Sequence, residues 1–62
     1  MSMSILSTDG NRKAVVTPCD NGAIVDCYRR NPQNTTWHFI YQVLMPVPYH
    51  AALDQAHSLI NA

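Results

Sequence analysis

Over the first three quarters of this chain the apolar residues fall in short runs, rich in β-branched and aromatic types and cut by turn signals. Thr8-Asp9-Gly10-Asn11 is one such turn, separating a short candidate strand, Ser4 to Ser7, from a second over Arg12 to Thr17. Pro18 cannot donate to a ladder and is expected to end that strand. Asp20-Asn21-Gly22 follows, and Asn-Gly between two strand-like runs predicts a two-residue hairpin turn. Ala23 to Arg29 has strand composition. Asn31-Pro32-Gln33-Asn34 suits a type I turn with Pro at its second position, and Thr36 to Leu44 is the longest strand. Pro46 and Pro48 then stop the sheet. Beyond them Tyr49, Ala52, Leu53, Ala56, Leu59 and Ile60 recur at helical spacing, with His50, Asp54, Gln55, His57 and Ser58 on the other side. The pattern predicts a single α+β domain over residues 1–62. It consists of an antiparallel β-meander of three main strands, four if Ser4 to Ser7 joins, with one C-terminal amphipathic helix on one face.

Turn lengths then suggest a register. With Asn21-Gly22 as the turn, Val16 faces Cys27 and Lys13 faces Arg30. With a four-residue loop around Pro32, Tyr28 faces Trp37, Asp26 faces Phe39 and Ile24 faces Tyr41. Directly opposed residues share a face. One face then carries Ala14, Val16, Ala23, Val25, Cys27, Ile40 and Leu44. The other carries Val15, Ile24, Tyr28, Trp37, Phe39, Tyr41 and Val43. One helix covers one face, and the small-residue face suits Leu53, Leu59 and Ile60. The aromatic face is then left without cover, a feature that usually marks an interaction site.

That stripe of Tyr28, Trp37, Phe39 and Tyr41 admits three uses. It is core if the helix packs there instead. It is a homodimer or partner interface if left open, since Tyr and Trp anchor interfaces. Or it is a platform on which single-stranded nucleic acid stacks its bases. Arg12, Lys13, Arg29 and Arg30 are every Lys and Arg in the protein, and the register gathers them at one end of the first hairpin. There they would grip phosphate or an acidic protein patch, or serve only as a solvated strand end that discourages edge pairing.

Composition narrows these choices. Sixty-two residues permit one modest core, and a chain this short buries only about 60% of its unfolded surface. The charged fraction is 13% and the formal net charge zero, so no long-range field draws in nucleic acid or anionic membrane. Low net charge also leaves the chain poorly protected against self-association. Cys19 and Cys27 have no metal or redox spacing and are expected as free thiols, Cys27 buried and Cys19 in a loop. His50, Asp54 and His57 share a helix face, but a zinc site needs a further ligand, so a polar, solvated face is expected and no metal or cofactor. Nothing resembles a signal peptide or a membrane span, and a cytoplasmic protein is expected. There is no Glu, no Gly-rich phosphate loop and no nucleophile spaced to a base, so no catalytic residues are assigned.

The leading expectation is therefore a non-enzymatic protein-interaction module, an adaptor, regulator or inhibitor, homodimeric through its sheet. Its contact residues are Tyr28, Trp37, Phe39, Tyr41, Arg12, Lys13, Arg29 and Arg30. The alternative is a nucleic-acid-binding sheet using the basic cluster and the aromatics. A weaker one is a subunit contributing to a shared active site. The strand-strand-strand-helix order also occurs in small domains that lay a sheet in the DNA major groove, but those are basic and this chain is neutral.

Overall fold

A computed structural model describes all 62 residues. Four antiparallel strands, β1 (Met3–Leu6), β2 (Arg12–Cys19), β3 (Gly22–Arg29) and β4 (His38–Met45), lie in chain order in one sheet, followed by helix α1 (Tyr49–Ile60). The meander thus has its fourth strand. α1 occupies the twelve residues that the apolar spacing marks, and it covers the small-residue face. Ile5, Ala14, Val16, Ala23, Val25, Cys27 and Met45 from the sheet are buried against Ala52, Ala56 and Ile60. The alanines let the helix backbone approach closely, while Tyr49, Leu53 and Leu59 pack around the rim. No helix is long and apolar enough to cross a membrane.

The end of α1 is tied to the β1–β2 turn. Asn61 Oδ1 accepts the Thr8 N–H at 2.8 Å and the Thr8 hydroxyl at 3.1 Å, while its amide donates to the His57 carbonyl at 2.8 Å. The Arg12 guanidinium donates to the Leu59 and Ala62 carbonyls, both at 3.4 Å. A cation there also complements the negative end of the helix dipole.

Both hairpins differ in register from the expectation. In the first, Cys19 pairs with Gly22, so Asp20 and Asn21 form the loop, Val16 faces Val25, and Lys13 faces Tyr28. No non-glycine residue has positive φ, whereas Gly22 has φ of 141°. The loop is therefore not the turn that requires positive φ at Asn21. The shift is by two residues, so face membership survives it. Pro18 does not end β2, which continues to Cys19. β1 stops opposite Val16, so beyond that point β2 is an edge and tolerates a missing donor.

The second difference has larger consequences. The Asn31 carbonyl accepts the Asn34 N–H at 2.9 Å, giving the expected turn. The Asn34 side chain then accepts the Thr36 N–H at 2.9 Å, an Asx turn that keeps the chain out of the sheet until His38. The longer loop slides β4, so that Cys27 faces Tyr41 and Ile24 faces Leu44. Because this shift is odd, it swaps faces. Tyr41 and Val43 pack against the core, and Ile40 and Leu44 are exposed. An irregularity beside Cys27 and Tyr28 keeps Phe39 on the open face, opposite Tyr28 rather than Asp26.

Candidate interaction surface

The face of the sheet away from α1 is built in three rows across the strands. Leu6, Lys13, Tyr28 and Phe39 stand opposite one another in one row. Ser4, Val15, Asp26 and Gln42 form the next, and Thr17, Ile24 and Leu44 the third. Leu6, Phe39 and Leu44 are more than half exposed, at 55%, 57% and 59%. The middle row is polar at its ends and closed by a 2.7 Å bond from the Gln42 amide to Asp26. Lys13 and Asp26 are the only charged residues in these rows.

Of the residues singled out in the sequence, Tyr28, Trp37, Phe39, Lys13 and Arg30 come together at one end of this face. The Tyr28 and Phe39 rings meet edge to face, with centroids 5.7 Å apart. The Lys13 ammonium lies 5.1 Å from the Tyr28 centroid and 4.7 Å from that of Trp37. The Arg30 guanidinium carbon lies 4.6 Å from Trp37, and its Nε donates to the Gly10 carbonyl at 3.1 Å. Trp37 precedes β4 and does not pair with Tyr28. Its ring instead rests against these two cations.

The remaining three assigned residues lie elsewhere. Tyr41 belongs to the helix side, where burial and the neighbouring Cys27 raise its phenol above the ordinary value. Burial likewise raises the Cys27 thiol, partly offset by the neighbouring Tyr41 hydroxyl, and so keeps it in the unreactive thiol form. Arg12 is engaged by the end of α1. Arg29 is exposed and stands between Arg12 on β2 and His38 on β4.

Arg29 also borders a feature that the sequence did not reveal. An open cleft of about 480 Å³, lined by no hydrophobic residue, is formed by Arg29, Arg30, Asn31, Asn34 and His38. It exists because the β3–β4 loop is long, and a register based on a four-residue loop closes it. Leu6 and Leu44 on the open face were missed for related reasons, the uncertain first strand and the reversed parity of β4. Both cysteines are free, Cys19 exposed and Cys27 buried, and no three His, Cys, Asp or Glu side chains gather as a metal site would require.

No known protein family, curated protein or solved structure matches this chain.

Proposed function

We propose that the protein is a non-enzymatic interaction module that pairs with a second copy of itself through the open face of its sheet. One observation carries this reading. The face opposite α1 displays Leu6, Phe39 and Leu44 around half-buried Val15, Ile24 and Tyr28, and nothing in the chain covers it.

Charge and size favour a second copy as the occupant. Within the paired rows Lys13 and Asp26 supply one charge of each sign, with Arg30 at the rim beside Trp37. A two-fold axis lying in the interface sets each Lys13 over the partner's Asp26, the self-complementarity an isologous dimer needs. The molecule measures 37 × 17 × 17 Å, so its long face is comparable with the ~800 Å² per partner of a standard interface. Edge-to-edge pairing is disfavoured, because β1 is only four residues long and β4 carries the irregularity near Phe39, both of which blunt an edge.

The nucleic-acid alternative draws less support. Stacking needs free ring faces, and here Lys13 and Arg30 lie over Trp37 while Phe39 and Lys13 occupy Tyr28. Sedimentation equilibrium at micromolar concentration tests the proposal. A mass near twice 6.9 kDa is expected, and a monomer at every concentration would refute self-pairing.

A further inference from the structure

We infer that the cleft between the ends of β3 and β4 and the loop joining them is a binding site for a terminal phosphate group. The inference concerns a different surface from the proposed dimer face and does not depend on it.

The positive charges at this end of the sheet are unbalanced. Arg12, Arg29 and His38 lie directly opposite one another across β2, β3 and β4. Arg12 and Arg29 are like charges in direct opposition, a destabilising arrangement, and the chain relieves only Arg12. Arg12 turns to the carbonyls at the end of α1. The Arg29 side chain makes no hydrogen bond within the chain, and none of the four Asp residues lines the cleft. Asp9 is engaged by Ser7 and Asn11, and Asp26 by Gln42. Asp20 lies in the β2–β3 loop and Asp54 on α1. No carboxylate of the chain faces Arg29, so an anion entering the cleft meets an uncompensated guanidinium.

The cleft also offers donors. The Asn34 side-chain oxygen is already used by the Thr36 N–H, so what remains to offer is its amide N–H₂. Arg30 uses Nε on the Gly10 carbonyl and rests against Trp37. Its position is thus fixed, with its two terminal nitrogens free. Arg29 adds a whole guanidinium fork, and Asn31 a second amide. Guanidinium forks match the paired oxygens of phosphate. Donors approaching from several residues suit a tetrahedral group with three terminal oxygens better than a planar carboxylate. The site is a concavity at one end of the molecule rather than a groove along it, and the net charge is zero. Those features favour a terminal monoester over the continuous diester backbone of a nucleic acid.

Titration of inorganic phosphate, followed by amide chemical shifts at fixed ionic strength, tests this. Saturable shifts are expected at Arg29, Arg30, Asn31, Gln33, Asn34 and His38. Arg29→Gln should weaken them at least roughly tenfold, as loss of a charge-assisted pair does. Because the Arg29 side chain is exposed and unbonded, Arg29→Gln without phosphate should melt at the parent temperature or slightly above, through relief of the Arg12–Arg29 repulsion. Phosphate stabilises many proteins non-specifically, so a rise in Tm alone counts for nothing unless Arg29→Gln removes it. Shifts that do not saturate, an unchanged affinity in Arg29→Gln, equal binding of acetate, or tighter binding of a short oligonucleotide than of phosphate would each overturn the assignment.

Discussion

Lys13 holds its ammonium nitrogen 4.7 Å from the centroid of the Trp37 indole, joining the second strand to a loop that the sheet itself does not pair. Arg30 adds a second cation at 4.6 Å. The indole therefore anchors residues 30–37. At exposed sites each such contact is worth about 0.5–1 kcal/mol, so Trp37→Leu is expected to lower stability by about 1–2 kcal/mol. It should also speed proteolysis within the loop. Urea denaturation and a timed digest measure the two effects. Coincident unfolding curves and equal digestion would show that the ring anchors nothing.

Gly22 sits where the backbone of another strand passes closest. A Cβ at this position would lie 2.1 Å from the Met45 carbonyl oxygen, and the backbone φ of 141° is one that L-residues rarely adopt. Both the clash and the strain act on Gly22→Ala, because Met45 O is backbone and cannot swing away. A loss of at least about 2 kcal/mol is expected, large for a domain this small. Thermal melting by circular dichroism checks it, and a variant within a degree of the parent would contradict the close approach.

The same glycine shows what the sequence could and could not convey. Its position after Asp20-Asn21 marked a hairpin, and a hairpin is there. Which two residues make the loop depended on φ, and that changed the register by two without moving any side chain to the other face. In β4 the deciding residue was Asn34. Its side chain makes a turn with Thr36, a local bond that apolar periodicity does not register. The resulting odd shift carried Tyr41 into the core and Leu44 out of it. The helix was legible to the residue because Ala52, Ala56 and Ile60 share one stripe. The phosphate cleft was not, since its five lining residues are brought together by loop length rather than by spacing.

Acid should loosen the β1–β2 turn. The Ser7 hydroxyl donates to Asp9 at 2.6 Å and the Asn11 N–H at 3.0 Å. These bonds hold the Asp9 carboxyl below its ordinary value of 3.8. A lowered folded-state pKa contributes stability that is present above the unfolded value and lost as pH falls through the folded one. Stability is thus expected to decline with acid below about pH 4. Asp9→Asn, which keeps the shape but not the titration, should flatten part of that decline. Identical acid profiles for parent and variant would remove Asp9 from the explanation.

The thiols should separate by reactivity. Cys19 is exposed and Cys27 buried, with its thiol raised by burial. A maleimide is expected to label one cysteine in the native protein and two after denaturation, with mass spectrometry placing the first on Cys19. Reductant should leave Tm unchanged, since a disulfide would contribute about 2–4 kcal/mol. Early labelling of Cys27 would mean that the sheet opens beside α1 far more readily than its packing implies.

The proposed dimer makes a prediction that simple disruption cannot imitate. If each Lys13 lies over the partner's Asp26, Lys13→Glu sets two carboxylates against each other twice in its homodimer. Asp26→Lys does the same with two ammonium groups. Each variant alone is expected to be mainly monomeric, because opposed like charges across an interface cost several kcal/mol. Mixing the two restores both attractive pairs, Glu against Lys on one side and Asp against Lys on the other. A heterodimer should then form from two chains that do not pair with themselves. The substitutions also disturb Tyr28, Trp37 and the Asp26–Gln42 bond, so each variant must first show the parent's circular dichroism. Sedimentation of the variants alone and as an equimolar mixture gives the answer. Rescue on mixing requires the two charges to meet across the two-fold, whereas a mixture of folded monomers would place the contact, if there is one, on another surface.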